Sequence, residues 1–280
     1  MLKGDTVVGR ELMLHGKFKG GGSGMTDTKK ELGQHWLHDK TILESIVSAG
    51  DVKGGDLVLE IGPGLGTLTE ILDASGARVV ALEYDQDLIE KLKEKFKTSQ
   101  VKIEHGDIRT FDLRTLMSPY KIIANIPYYL TSNLIRSICD TDHPPQVAVL
   151  LIQKEVAERI CAEAGEMSTL AVIAQFYYDC RLDIEVPARY FTPPPKVDSQ
   201  VIVLTRKAEP LFEVDTKKFF RLVKAGFSER RKTLRNSLSG GLAISKEDAE
   251  QLLERSHINS GLRAQALSLQ EWYQLYQNMK

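Results

Sequence analysis

The residues Asn125-Ile-Pro-Tyr128 follow a short apolar run and combine an amide, a rigid ring and an aromatic side chain. The Asn125 oxygen and a backbone carbonyl held still by the ring of Pro127 are two acceptors that could bind both hydrogens of an exocyclic amine. Such binding would draw a planar nitrogen towards a tetrahedral arrangement and free its lone pair for attack on a methyl group. Tyr128 offers a face on which a flipped base could stack. The alternative is a plain Asn-Pro turn with Tyr128 in the core.

A glycine-rich loop, "EIGPGLGTLT" (60–69), lies between a predicted strand and a predicted helix. Gly62 and Gly64 allow the backbone to turn tightly and to approach a ligand closely. A dinucleotide fingerprint would need glycine at position 67, where this chain has Thr67, and Pro63 removes a donor that a phosphate could use. The loop therefore favours a ligand without a pyrophosphate.

Two acidic residues follow the next two predicted strands. Glu83 ends the second strand, and Asp107 follows the third beside a glycine. A carboxylate at the first place can accept both hydroxyls of a ribose, and one at the second could accept from an adenine amino group. Both would lie at the carboxyl edge of the sheet unless they are only helix caps or turn residues. Together they indicate a ligand with ribose and adenine but no phosphate, for which S-adenosylmethionine is the natural candidate.

The chain that positions these residues alternates between short apolar runs and amphipathic segments up to about Arg206. A first helix is predicted from an N-cap at Asp39 to Gly50. Strands are predicted at 57–61, 78–82, 101–104, 121–124, 147–152, 177–184 and 200–205, with helices between them at 86–97, 131–139 and 154–162. This order predicts an α/β fold, a mostly parallel sheet covered on both faces.

Beyond residue 209 the strand signals disappear, and helices are predicted at 216–226, 228–238, 246–255 and 269–277. We expect a catalytic domain at 25–206, including an N-terminal arm at 25–38, and a small all-α domain at 207–280. Residues 1–24 end in a Gly/Ser run before Met25, which is typical of a tag, a linker or a disordered extension.

The bulk composition is that of a globular chain, with 42% hydrophobic and 27% charged residues in a length of 280. No apolar run is long enough to span a membrane. The three cysteines, Cys139, Cys161 and Cys180, form no Cys-x-x-Cys pair that would bind zinc, so we expect no metal and a reducing cytoplasm.

The net charge of −1 conceals a basic segment. Residues 217–235 contain eight lysines and arginines and a single acid, a local charge of +7. A helix through "ERRKTLR" would bring Arg231, Lys232 and Arg235 close together, with Arg230 adjacent. We expect these four residues to bind RNA phosphates, although a solvated helix face is the plainer interpretation of a charge run.

In combination these motifs resemble the ribosomal RNA adenine N6,N6-dimethyltransferases of the KsgA type, over a stretch from about Lys30 to the C-terminus. The resemblance is carried, in order, by "LGQHWLHD" (32–39), "EIGPGLGTLT" (60–69), "NIPYYLTS" (125–132), "FTPPPKVDS" (191–199) and "FSERRKTLRNSL" (227–238). It implies a Rossmann-like methyltransferase sheet with a small C-terminal helical domain. Nothing in the sequence demands more than a monomer, so we expect one.

By this resemblance, the reaction uses S-adenosylmethionine to place two methyl groups on each of two adjacent adenosines near the 3′ end of small-subunit (16S) ribosomal RNA during ribosome biogenesis. Phe191 would stack on the target adenine opposite Tyr128. The expected cofactor contacts are His35, Leu37, Gly62, Gly64, Glu83, Asp107 and Asn125. In the family the arm usually reads Gly-Gln-Asn-Phe-Leu, whereas this chain has His35 and Trp36.

Three other functions stay open at this point. A related group methylates one adenosine of large-subunit RNA and confers macrolide resistance, but the proline-rich loop and "RRKTLRNSL" favour the small-subunit type. A non-catalytic assembly or transcription factor would not need an intact Asn125–Tyr128 motif with both carboxylates. A small-molecule methyltransferase would leave the basic segment unexplained.

Overall fold

The computed structural model describes residues 34–279. The extension predicted at 1–24 and most of the predicted arm at 25–38 lie outside the described residues. The strands are β1 (Trp36–Leu37), β2 (Leu57–Ile61), β3 (Arg78–Glu83), β4 (Lys102–His105), β5 (Tyr120–Asn125), β6 (Val147–Gln153), β7 (Tyr178–Val186), β8 (Phe191–Thr192) and β9 (Ser199–Arg206). The helices are α1 (Lys40–Ala49), α2 (Thr67–Ala74), α3 (Gln86–Lys95), α4 (Thr131–Asp140), α5 (Lys154–Ile160), α6 (Thr169–Tyr177), α7 (Thr216–Gly226), α8 (Leu234–Leu242), α9 (Lys246–Arg255) and α10 (Leu269–Asn278).

The central sheet has the strand order β4-β3-β2-β5-β6-β9-β7, and a separate pair joins β1 to β8. Strands β2 to β6 are parallel, which confirms the predicted α/β sheet, whereas β9 runs antiparallel to both β6 and β7. Parallel neighbours need a long crossover connection, usually a helix. The segment between β7 and β9 contains no α-helix, so β9 returns beside β7 in the opposite direction.

Successive residues of the buried strands face opposite sides of the sheet. Ile123 packs in an apolar cluster with Ile46 of α1 and Leu72 of α2. Its neighbour Ile122 packs with Ile138 of α4 and other residues of α4 to α6. The sheet is therefore covered on both faces, as the continuous apolar runs predicted.

The C-terminal helices α7 to α10 surround the fully buried Trp272 and share their apolar cluster with α6, which contributes Phe176. Helix α6 was not among the helices predicted from the sequence, and it packs on both this cluster and the sheet. No helix within residues 34–279 is long and apolar enough to cross a bilayer.

The helix predicted at 228–238 is wrong in its first half. Helix α8 begins only at Leu234, after Thr233 in an extended conformation. The Lys232 N–H donates to the Glu229 carbonyl in a turn, and the Leu234 N–H donates to the carbonyl of Leu262. Thr233 occupies the N-cap position without a side-chain cap hydrogen bond, and the tertiary bond of Leu234 fixes the helix start there.

Candidate active site

One cleft opens at the carboxyl ends of β2, β3 and β5, beside the loop that follows β4. It is lined by all the residues that the sequence assigned to catalysis or to cofactor binding, which are His35, Leu37, Gly62, Gly64, Glu83, Asp107, Asn125, Pro127, Tyr128 and Phe191. Ligands of open α/β sheets bind at this edge. The structure therefore brings the two predicted sites together in one place.

The glycine loop after β2 uses its own amide groups internally. The N–H groups of Gly62, Gly64 and Gly66 donate to the Leu82 carbonyl, to the Glu83 carboxylate and to the Pro63 carbonyl, at 2.9, 3.0 and 2.8 Å. A pyrophosphate site needs free N–H groups that point at the ligand. At Gly62 the loop instead faces open space, since an added Cβ there would have no atom within 4 Å.

The Glu83 carboxylate is fixed at the end of β3. Its Oε2 accepts from the Gly64 N–H at 3.0 Å, and its Oε1 accepts from the Asp85 N–H at 2.7 Å. Burial raises the pKa of this carboxyl, and the backbone donors from Asp85 and Gly64 oppose that effect. Each oxygen still has a lone pair for a further donor, which is the arrangement that a ribose diol requires.

Asp107 lies across the cleft and is held by a neighbour. The Arg109 guanidinium donates from Nε to both carboxylate oxygens, at 3.0 and 2.9 Å, and from Nη2 to Oδ2. This partner holds the pKa of Asp107 below its usual range. The carboxylate is thus ionised and able to accept from an amino group of a ligand in addition to Arg109.

At the end of β5, Asn125 presents its oxygen to the cleft. The Asn125 Nδ2 donates weakly to the His35 carbonyl at 3.4 Å, and Oδ1 has no hydrogen-bond partner within residues 34–279. The Pro127 carbonyl already accepts from the Leu130 N–H at 3.0 Å. The Ile126 carbonyl, which belongs to the peptide bond closed by the proline ring, is therefore the remaining candidate for the second acceptor.

Tyr128 is held at both ends of its side chain. Its hydroxyl lies 2.9 Å from the Ser199 Oγ, and its ring lies nearly parallel to the imidazole of His35, with centroids 6.1 Å apart. Burial raises the pKa of Tyr128, so the phenol stays neutral. Phe191, the other predicted stacking residue, lines the same cleft but is 4% exposed and pairs in the β1–β8 ladder.

The described end of the arm closes over the glycine loop. Strand β1 pairs with β8 through Trp36 opposite Thr192 and Leu37 opposite Phe191. The indole of Trp36 lies so close to Gly64 that an added Cβ there would be 2.3 Å from a ring carbon. A second tie comes from the Thr67 hydroxyl, which donates to the Leu37 carbonyl at 3.1 Å.

The family model described as ribosomal RNA adenine dimethylase matches residues 25–280. This chain belongs to that family. A ribosomal RNA small subunit methyltransferase A from Dehalococcoides mccartyi is 40% identical over 252 residues, which cover 88% of this chain and 87% of that protein. A protein of the same name from Synechocystis is 39% identical over 270 residues and covers 88% and 94%.

Two solved structures resemble the dimethylase over nearly its whole length. A dimethyladenosine transferase from Plasmodium falciparum has a TM-score of 0.73 at 26% identity and covers 86% of this chain and 96% of its own. The 23S rRNA methyltransferase ErmE has a TM-score of 0.72 at 26% identity and covers 87% and 98%. The resemblance predicted from the motifs is confirmed, and the relatives' names favour the small-subunit over the large-subunit type.

The dimethylase is therefore an enzyme, and the methyl donor of its family is S-adenosylmethionine. The residues in the cleft fit that group, because a diol acceptor, an amine acceptor and a glycine surface without free phosphate donors are all present. Within residues 34–279, no three His, Cys, Asp or Glu side chains are grouped so that they could hold a metal ion.

Glu60 is a residue of the dimethylase cleft that sequence reasoning missed. It lies inside β2 with 1% exposure, its Oε2 has no hydrogen-bond partner in the described part of the chain, and burial raises its pKa to about 8. The signal was present in the sequence, since a single acid interrupts the apolar strand "LVLEI". A buried carboxylate oxygen without a partner is costly and marks a place for a polar ligand or water.

The basic residues predicted to bind RNA are placed differently from the expectation. Arg230, Arg231 and Lys232 are exposed in the turn before α8, and no ion pair of theirs is found within residues 34–279. Arg235 is on α8, half-buried, and donates to Glu250 at 3.1 Å. The four residues thus do not form one helix face, and the first three are the cations free to bind an anion.

Proposed function

We propose that this dimethylase dimethylates N6 of two adjacent adenosines near the 3′ end of small-subunit ribosomal RNA, and that it acts as a cytoplasmic monomer on a partly assembled subunit without a metal ion. The observation that carries the proposal is the single cleft in which the carboxylates Glu83 and Asp107 share a space with Asn125 and Tyr128. Three free cysteines suit a reducing compartment.

In this proposal the cofactor half of the cleft is built from β2 to β4. S-adenosylmethionine supplies an electrophilic methyl group when it is bound. Glu83 accepts from the two ribose hydroxyls, and Asp107 accepts from the adenine amino group while it keeps Arg109. Gly62, beside which there is open space, allows close approach of the backbone, and Gly64 lines the same cleft beneath Trp36. Leu37 of the arm, which is 2% exposed, closes the cleft.

In the other half of the cleft, Asn125 and Tyr128 act on the target adenine. The Asn125 Oδ1 and the Ile126 carbonyl accept both hydrogens of the exocyclic amine, which directs its lone pair away from the ring. Pro127 restrains the second acceptor, and Tyr128 stacks on the base with Phe191 on the far side. No strong base is needed, since the nitrogen loses its proton after the methyl group has been transferred.

We propose that the RNA is held chiefly by Arg230, Arg231 and Lys232, with Arg235 as a secondary contact because Glu250 already binds it. A cleft that contains Arg230 also reaches Ser132, one residue into the helix that follows the catalytic motif. These contacts would give affinity and register but little sequence information.

We assign residues 25–206 to a catalytic domain and residues 207–280 to an RNA-binding domain.

Transfer of labelled methyl groups to unmethylated small subunits tests the reaction, with naked large-subunit RNA as the rival substrate. Asn125→Ala should nearly abolish dimethyladenosine, because one of the two amine acceptors is lost. Asn133→Ala is the matched control, since that asparagine is exposed on α4. No transfer by the wild type, with subunit binding intact, would mean that the protein is an assembly factor. Labelling of large-subunit RNA alone would favour the resistance-type reaction.

The salt dependence of RNA binding tests the cationic turn. Each phosphate contact contributes roughly 0.7–0.9 to the slope of log affinity against log salt. The double variant Arg231→Gln/Lys232→Gln should therefore lower that slope by about 1.5, while Lys53→Gln, at the opposite edge of the sheet, should leave it unchanged. An unaltered slope in the double variant would remove the turn from the RNA interface.

A further inference from the structure

One residue of the arm, His35, contacts three parts of the proposed catalytic centre. Its carbonyl accepts from Asn125 Nδ2 at 3.4 Å, and its Nδ1 lies 2.7 Å from the Pro193 carbonyl. A carbonyl can only accept, so the proton is on Nδ1. Its ring is inclined by 25° to that of Tyr128, at a centroid separation of 6.1 Å. The sequence suggested only a cofactor contact for this position.

The position of the imidazole decides which face of Tyr128 is open. Aromatic planes in contact are about 3.5 Å apart, so a base inserted between two rings needs about 7 Å between them. The observed 6.1 Å is too short for an adenine between His35 and Tyr128. The hydroxyl contact with Ser199 fixes the far end of the tyrosine side chain. An adenine cannot be sandwiched between the two rings, so the opposite face of Tyr128 is the one that a target base can cover fully.

We propose that His35 is a positioning residue for the target adenine. It closes one face of Tyr128 with its ring, holds the proline-rich loop through the Pro193 carbonyl, and contacts the Asn125 amide through its own carbonyl. The base is thereby directed to the one face from which its amine reaches Asn125. The inference rests on the proposed function and assigns to His35 a role in the base pocket rather than in the cofactor pocket.

The two side-chain contacts of His35 can be removed separately. Asparagine could donate to the Pro193 carbonyl but cannot cover a tyrosine face. The variant His35→Asn keeps the donor without the ring, His35→Phe keeps the ring without the donor, and His35→Ala removes both. Comparison of the three separates the two contacts that the side chain makes.

The experiment measures kcat and KM for unmethylated small subunits, the affinity for S-adenosylmethionine by calorimetry, and the ratio of monomethyl- to dimethyladenosine. His35→Ala should lower kcat by ~10–100-fold, as a misplacement of about 1 Å does, and should accumulate monomethyladenosine. The cofactor affinity should stay within about twofold. His35→Phe should recover most of kcat, and His35→Asn should not.

Two results would overturn the proposal. One is that His35→Ala loses as much affinity for S-adenosylmethionine as it loses in kcat/KM, while kcat at saturating cofactor is unchanged. That result would make His35 a cofactor contact. The other is wild-type kinetics in all three variants. If His35→Ala folds poorly, as judged by its denaturation midpoint, the contrast between the Phe and Asn variants decides the question. Failure of the proposed function would be visible separately, as absence of transfer by the wild type.

Discussion

Replacing Glu83 by glutamine tests the cofactor site at its most constrained group. Both carboxylate oxygens accept a backbone N–H, from Gly64 at 3.0 Å and from Asp85 at 2.7 Å. A glutamine amide has one oxygen and one NH2, so in either orientation its NH2 faces one of these two donors. The substitution therefore removes the charge and also sets a donor against a donor, with almost no change in volume.

The expected magnitude follows from these two effects. One ribose hydroxyl loses a hydrogen bond to a charged acceptor, which is worth about 1.5–3 kcal/mol and corresponds to a ~10–150-fold weaker Kd. The backbone N–H left facing the amide also costs ~1–3 kcal/mol in the free energy of unfolding. Affinity and stability should therefore fall together in Glu83→Gln.

Titration calorimetry with S-adenosylmethionine measures the first effect, and urea denaturation measures the second. Glu104→Gln is the matched control, because Glu104 is in the neighbouring strand β4 but does not line the cleft. Saturating cofactor should restore much of kcat in Glu83→Gln, since the residue does not touch the target base. A variant that folds normally and binds the cofactor within about twofold of the wild type would refute the assignment of Glu83.

Three further outcomes are expected. Gly64→Ala should displace the indole of Trp36 and change its fluorescence. Gly55→Ala, where φ is also positive (+88°, against +58° at Gly64) but nothing lies within 4 Å of the new Cβ, should cost only ~1–2 kcal/mol of backbone strain. Lys121→Met should lower the free energy of unfolding by about 2–3 kcal/mol in a urea titration. The Lys121 ammonium donates to the carbonyls of Gly50 and Asp51 and forms an ion pair with Asp56, and methionine loses all three contacts. In the wild type the free energy of unfolding should fall as the pH rises towards 8, because the raised pKa of Glu60 makes the folded state bind more protons than the unfolded state. Glu60→Gln should reduce that slope, and the raised pKa of Glu83 should account for the remainder.

The inner strands β2, β5, β6 and β9 were predictable because each is buried on both faces and carries a continuous apolar run, whereas the edge strands β4 and β7 are partly exposed. The N-cap at Asp39 and the helix end at Gly50 were predictable from the local sequence. The Asp39 side chain accepts from a backbone N–H of the first turn, and the Gly50 N–H donates to carbonyls of the last turn. The turn at 228–233 was not, because it depends on a bond to Leu262 that the local sequence does not reveal. Local propensity was overridden by a tertiary contact.

Most residues of the site were predictable from the sequence, but the contacts between them were not. Asn125 and Glu83 could be identified because each follows a strand, and parallel strands end at one edge. The contacts of His35 could not, because they depend on the pairing of β1 with β8, which lies more than 150 residues further along the chain. Two strands of two residues each give no periodic signal in the sequence.

The arm links the two halves of the cleft, and this has a consequence for the order of events. Trp36 covers Gly64 on the cofactor side, while the adjacent His35 covers Tyr128 on the base side. Spent cofactor must be exchanged before each new methyl transfer, and an arm that moves off Gly64 takes His35 with it, because consecutive backbone residues cannot move independently. The face of Tyr128 is then unsupported at each exchange, so we expect the base to be released between transfers. Pulse labelling of small subunits in excess over enzyme should show monomethyladenosine rising first and dimethyladenosine following. Dilution with unlabelled subunits should then slow the conversion, because a released intermediate must compete with them for the enzyme. Dimethyladenosine that forms without a free monomethyl stage would show that the arm opens for the cofactor while the base stays in place.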